Sequence, residues 1–173
     1  MLPIDQMPRV PGFETPRQLY CVLAEPAPLF GMEYPLRRTR VDWQALCDAG
    51  ARGVLCLHAP AHYEPTPLRL LATIDLEDLV AGGPPRDPQG ELARVEQAAA
   101  LVLAEVARGR GVVVHCAGGR GRTSTVLGSV LVRLGTDPRA VIAYLDQLHQ
   151  ARGTSGWPES PWQRDVVLGA GRP

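Results

Sequence analysis

Apolar and polar positions along this chain fall into two alternating kinds of segment. Residues 18–24, Gly53 to Leu57, Leu68 to Leu79 and Val112 to Val114 are short apolar or alternating runs with the length of strands. The third alternates towards its end, which predicts that Ile74 and Leu76 face inward and that the chain leaves the sheet around Glu77 and Asp78. Longer segments with helical spacing lie between and after these runs. Val41 to Ala49 reads as a helix, with Thr39 or Asp42 near its start and Gly50 past its end. Glu91 to Arg108 is a run of good helix formers stopped by Gly109. Thr123 to Leu134 continues the series. The next helix has Asp137 as cap and Pro138 in its first turn and runs to about His149, and the last covers Pro161 to Leu168. Strands alternating with helices predict an α/β fold, a central mostly parallel sheet of four to five strands with helices on both faces. The expected organisation is an arm over residues 1–17 followed by one domain over residues 18–173.

One junction in this pattern carries chemistry. The run Gly111-Val112-Val113-Val114 leads directly into His115-Cys116-Ala117-Gly118-Gly119-Arg120-Gly121-Arg122-Thr123-Ser124, and a helical segment follows. Backbone N–H groups of a glycine-rich turn at a helix N-terminus form a nest for an anion. Gly118, Gly119 and Gly121 are expected to allow positive φ there. Arg122 offers a planar fork suited to two oxygens of one phosphoryl group. The same positive field favours the thiolate of Cys116, the nucleophilic form. Thr123 can donate its hydroxyl to that sulfur, and His115 is expected to fix the loop rather than act as a base. None of the other cysteines, Cys21, Cys47 and Cys56, has an arginine at the same offset.

This string, His-Cys-x5-Arg-Thr between a strand and a helix, resembles the signature loop of the cysteine-based protein tyrosine phosphatase superfamily. The small size is similar to the compact, atypical dual-specificity phosphatases, and the similarity extends from about Leu29 to Val167. The resemblance implies a phosphotyrosine-phosphatase-like domain that hydrolyses phosphate monoesters in two steps. Cys116 and Arg122 would be catalytic, with residues 117–122 (Ala117, Gly118, Gly119, Arg120, Gly121, Arg122) around the phosphate and His115 and Thr123 in support. It also implies an aspartate on a separate loop, placed just past a strand. Asp78 fits that position best. Asp75, within the alternation, and Asp87, after a Pro-Pro turn, remain open, because Val80 to Gly90 makes the interval to Cys116 longer than in most compact relatives.

Composition narrows the setting. The 173 residues, 45% of them hydrophobic, suffice for one core. Formal net charge is zero, without a basic arm or acidic tail, so no nucleic-acid partner is expected. No signal peptide or membrane-spanning run is evident, and four cysteines at unrelated spacings suit reduced thiols and a cytoplasmic location. All 18 cationic side chains are arginine. The mechanism calls for no metal and no cofactor.

Substrate choice turns on fewer residues. Arg120, two positions before Arg122, would favour substrates with additional phosphates if it faces the anion; if it supports the loop from outside, it would not. Phosphotyrosine or mixed phosphoprotein substrates are the first expectation, with phosphoinositides or inositol polyphosphates as the alternative. A rhodanese-like sulfurtransferase and a non-catalytic phosphate-binding module are the readings from other classes. The partner is thus a phosphorylated protein or a small phosphorylated molecule. His58, His62 and Tyr63 lie on a loop that could border the site. Cys56 reads as core, or as a second thiol able to trap oxidised Cys116. The tryptophans read as helix anchors, and Gln163 resembles a water-orienting glutamine of some relatives.

Overall fold

The computed structural model describes residues 1–34 and 41–171. Five strands, β1 (Leu19–Leu23), β2 (Leu29–Glu33), β3 (Ala51–Cys56), β4 (Arg69–Thr73) and β5 (Gly111–Cys116), form one sheet in the order β1-β2-β5-β3-β4. Only β1 and β2 pair antiparallel; the β2–β5, β5–β3 and β3–β4 pairs are all parallel. Their carboxyl ends therefore share one edge of the sheet, where ligands of open α/β sheets bind. β5 is central and buried along its whole length, as a strand covered on both faces must be.

The helices are α1 (Trp43–Asp48), α2 (Pro88–Val106), α3 (Gly121–Arg133), α4 (Pro138–Ala151) and α5 (Pro161–Gly169). Helices α2, α4 and α5 surround α3, which lies against β5 and β2, while α1 packs on β3. Every residue of α3 from Gly121 to Val132 is buried, so this helix is part of the core rather than a cover for it. Val126, Leu127, Val130 and Leu131 are fully enclosed, each contributing about 1.5–3 kcal/mol by burial.

Local signals explain most boundaries. Asp42, Asp87 and Asp137 accept from Ala45, Gly90 and Ala140 N–H at the starts of α1, α2 and α4. Thr39, the other candidate for the start of α1, lies outside the described residues. The segment expected to run on as strand past Ile74 instead ends its pairing at Thr73. Ile74, whose N–H still donates to Cys56 O at 2.9 Å, Leu76 and Leu79 remain buried beyond that point. Strand β2 is not apparent in the sequence pattern, because Gly31 breaks the apolar run. The gap has a purpose: a Cβ at position 31 would overlap the ring of Tyr20 on β1. Residues 1–17 lie along the domain, with Met7 and Val10 buried against its core and Leu2 N–H bonded to Val22 O at 2.9 Å.

Candidate active site

Cys116 is the last residue of β5, with 2% of its surface exposed. The chain then turns through residues 117–120 into α3. Of the three loop glycines, only Gly119 has positive φ, at 60°. A side chain there would also strike the backbone of Met32 on β2. No side chain caps α3, whose N-cap residue is Arg120. Among the described residues, the backbone N–H groups of residues 118–121 donate to no protein acceptor. A helix start with uncapped donors facing a cleft is a site prepared for an anion. That cleft, of about 400 Å³, is lined by Cys116, Arg122, Asp78, Val80, Arg120 and Glu159 among others.

Arg122 emerges from the first turn of α3 with its side chain 8% exposed. Its Nη2 donates to Asp78 Oδ2 at 2.9 Å and its Nη1 to Leu76 O at 3.3 Å, and Nη1 lies 3.5 Å from His58 Nδ1. Asp78 sits past the end of β4, its side chain half exposed and its Oδ1 accepting from Val80 N–H. The competing aspartates are engaged elsewhere. Asp75 accepts from Ala59 N–H, and Asp87 caps α2. Of the three, only Asp78 lines the cleft.

Thr123 is fully buried, and among the described residues its Oγ1 has no hydrogen-bond partner. His115 is fully buried too, and its Nε2 meets the Tyr63 hydroxyl. Burial, aided by His58, pulls its imidazole down to about 4, so it is neutral at physiological pH. Tyr63 stacks on Trp43 of α1, and Tyr34 meets His58, Tyr63 and His115 edge-on. His58 and Tyr63 thus stand behind the site, whereas His62 is exposed and binds Tyr34 through its backbone N–H. Cys56 pairs in register with His115 rather than with Cys116. Successive strand residues face opposite sides, so its thiol points away from the face that Cys116 presents.

The underside of the loop is held by residues that local patterning does not single out. Gly119 O accepts from Tyr20 Oη and from Arg152 Nη1, each at 2.9 Å. Arg152 also donates to Pro16 O and Arg17 O, and its Nη1 lies 2.9 Å from His149 Nδ1. Burial first, then Arg152 and Arg120, pull His149 down to about 3, so its ring is neutral. Arg152 can only donate, so Nδ1 accepts and Nε2–H donates to Ser124 Oγ at 2.6 Å. Tyr20, Ser124 and His149 have no exposed surface.

On the outer side, Arg120 is taken up by the connection between α4 and α5. Its Nε donates to Glu159 Oε1 at 2.6 Å and its Nη1 to Ser155 Oγ at 2.7 Å. Trp157 Nε1 donates to Gly121 O at 3.3 Å. Gln163 has a local duty: its Oε1 accepts from the backbone N–H of Glu159 and Ser160, completing a capping box at α5. The spacing Ser160-Pro161-Trp162-Gln163 is the sequence signal for that box. Among the described residues, no group of three or more His, Cys, Asp and Glu side chains gathers to hold a metal. No described helix is long and apolar enough to cross a membrane.

A sequence family described as Swiss Army Knife protein, DSP-PTPase phosphatase domain, matches residues 19–158. The chain belongs to this phosphatase family. Its activity class is that of a protein-tyrosine/dual-specificity phosphatase, as the resemblance in the loop implied. The family match starts earlier than Leu29, taking in β1, and stops short of α5. No curated protein matches the chain. Solved structures share the fold. A mouse putative dual specificity phosphatase complexed with zinc tungstate is 19% identical, with a TM-score of 0.61 over 83% of this chain and 82% of that one. A single-residue variant of human DUSP28 is 21% identical, with a TM-score of 0.57 over 83% and 88%. PTPMT1 in complex with PI(5)P is 19% identical, with a TM-score of 0.57 over 83% and 90%.

Proposed function

We propose that this phosphatase domain works through a cysteinyl-phosphate on Cys116 and acts on phosphotyrosine or mixed phosphoprotein substrates. The observation that carries the reading is the shared cleft: a strand-end thiol, the Arg122 fork, the Asp78 carboxyl and the uncapped start of α3 all line or adjoin it. Phosphoryl oxygens take the loop N–H groups and the Arg122 fork, displacing Asp78 from Arg122. The Cys116 thiolate attacks phosphorus, the bond to the leaving oxygen breaks, and Asp78 delivers its proton to that oxygen. Water then attacks the phosphorus and gives a proton to the Asp78 carboxylate; the S–P bond breaks, releasing phosphate and restoring the thiolate. The Thr123 hydroxyl, which bonds to no described residue including Cys116, would have to turn towards the sulfur to receive that charge. Four thiols, one of them the nucleophile, favour a reducing compartment such as the cytoplasm.

A second reading, an inositol polyphosphate or phosphoinositide substrate, draws on Arg120 at the edge of the cleft and on PTPMT1, solved with PI(5)P. A panel of phosphotyrosine, phosphoserine and phosphothreonine peptides against inositol phosphates and phosphoinositide vesicles separates the two. The chemistry itself is tested with para-nitrophenyl phosphate. Turnover is expected to survive chelators and to vanish in Cys116→Ser; unchanged turnover in that variant would refute the mechanism. Asp78→Asn is expected to slow hydrolysis of alkyl phosphates by about 100-fold or more and of para-nitrophenyl phosphate far less, since a poor leaving group needs the proton most. If Asp75→Asn produces that pattern instead, the acid has been misassigned.

A further inference from the structure

A carboxylate lining a phosphate-binding cleft works against anion binding, so Glu159 needs a reason to be there. It sits 12% exposed, its Oε1 on Arg120 Nε at 2.6 Å. Its Oε2 lies so close to Gly121 that a Cβ at that position would overlap it. Its backbone is fixed by the Gln163 capping box, and the same connection supplies Ser155 to Arg120 Nη1 and Trp157 to Gly121 O. These contacts take the Nε donor and one Nη1 donor of Arg120 and set a carboxylate charge against its guanidinium, so that the positive field it could offer a second anionic group is largely cancelled.

We propose that Glu159 is a specificity-determining residue: by holding and neutralising Arg120 at the rim, it suits the cleft to a single phosphoryl group and excludes substrates with a second phosphate beside the scissile one. The inference rests on the cleft at Cys116 and Arg122 being the phosphate site. It deepens that reading by assigning the choice between mono- and polyphosphorylated substrates to one ion pair. Arg122 is less subject to this competition, because its own carboxylate partner, Asp78, is half exposed and, among the described residues, otherwise held by the Val80 N–H alone.

The test uses the Cys116→Ser protein, which binds without turnover, and calorimetric titration with an inositol monophosphate and an inositol bisphosphate bearing vicinal phosphates. Glu159→Gln keeps the shape and the capping backbone but removes the charge. It is expected to raise the bisphosphate-to-monophosphate affinity ratio at least about tenfold, the scale of one released charge-assisted contact. Adding Arg120→Met to Glu159→Gln should return the ratio to its starting value. A ratio that moves less than twofold, or that moves equally without Arg120, overturns the proposal. Thermal melts of each variant check folding, and Arg120→Met alone provides the control should the double variant unfold. Binding of neither probe, together with no hydrolysis of para-nitrophenyl phosphate by the protein with Cys116 intact, would take down the phosphate site and this inference together. Normal monophosphate binding with an unmoved ratio would take down the inference only.

Discussion

The loop after β5 is gripped from two sides by quite different means. Beneath it, Tyr20, Ser124, His149 and Arg152 are buried, and three of them are uncharged. They converge by direct or relayed hydrogen bonds on one carbonyl, that of Gly119. At its rim, two arginine–carboxylate pairs, Arg120 with Glu159 and Arg122 with Asp78, lie at the edge of solvent. Directional bonds in a dry interior set shape, because a buried unpaired group costs about 1–3 kcal/mol. The Arg122–Asp78 pair, with its carboxylate half exposed, can be exchanged for a ligand at little cost, whereas the more enclosed Arg120–Glu159 pair is held in place. The contrast separates what keeps the nest in form from what meets the substrate. Turning the Gly119 carbonyl downward leaves the neighbouring N–H groups to the cleft.

The sharpest way to break this division is to hit each side and ask which property falls. Arg122→Lys at the rim keeps a charge but loses the fork. It is expected to lower kcat/KM by about 100- to 1000-fold while leaving the melting temperature nearly unchanged. Arg152→Met beneath the loop removes donors to Gly119, His149, Pro16 and Arg17. It is expected to cost about 3 kcal/mol of stability, read as a loss of several degrees in Tm, with a smaller effect on turnover than Arg122→Lys. A large activity loss at full stability in Arg152→Met would mean that the underside also takes part in chemistry.

The last effect to test is a dependence on pH. His149 and His115 are held neutral in the fold, at about 3 and about 4, against an ordinary value of 6.5. Between those values the unfolded chain binds more protons than the folded one. Their contribution is complete above about pH 6.5 and is lost as pH falls towards 4 and 3, at up to about 1.4 kcal/mol per unit for each histidine. Melts from pH 8 to 5 should show stability flat above 6.5 and falling below. His149→Gln should reduce the slope; an unaltered slope would place the acid sensitivity elsewhere.

How much of this was open to the sequence follows the same division. The rim was legible, because Cys116, Arg122 and the glycines sit within one short string whose chemistry local spacing reveals. Asp78 is preferred among three aspartates because the resemblance puts an acid just past a strand, and of the three it is the one on the cleft. Asp137 and Pro138 mark the start of α4, and the run of helix formers stopped by Gly109 places α2 within a few residues. The underside was not legible. Tyr20 meets Gly119 across 99 positions, and Arg152 meets it across 33, with no periodicity to mark either. Glu159 is opaque for the same reason, since an acidic residue in a polar loop looks solvated until the fold brings it against Arg120. Strand β2 was hidden by a glycine whose use lies in a neighbouring strand.

That glycine ties two distant positions into one inherited choice. With hydrogen as its side chain, Gly31 leaves the space in which the Tyr20 ring crosses β2 on its way to Gly119. A methyl group at 31 and a phenol at 20 cannot coexist without moving the sheet. In chains descended from a common ancestor with this one, the two positions should therefore change together: glycine kept wherever tyrosine is kept, and side chains admitted at 31 only where 20 has become small.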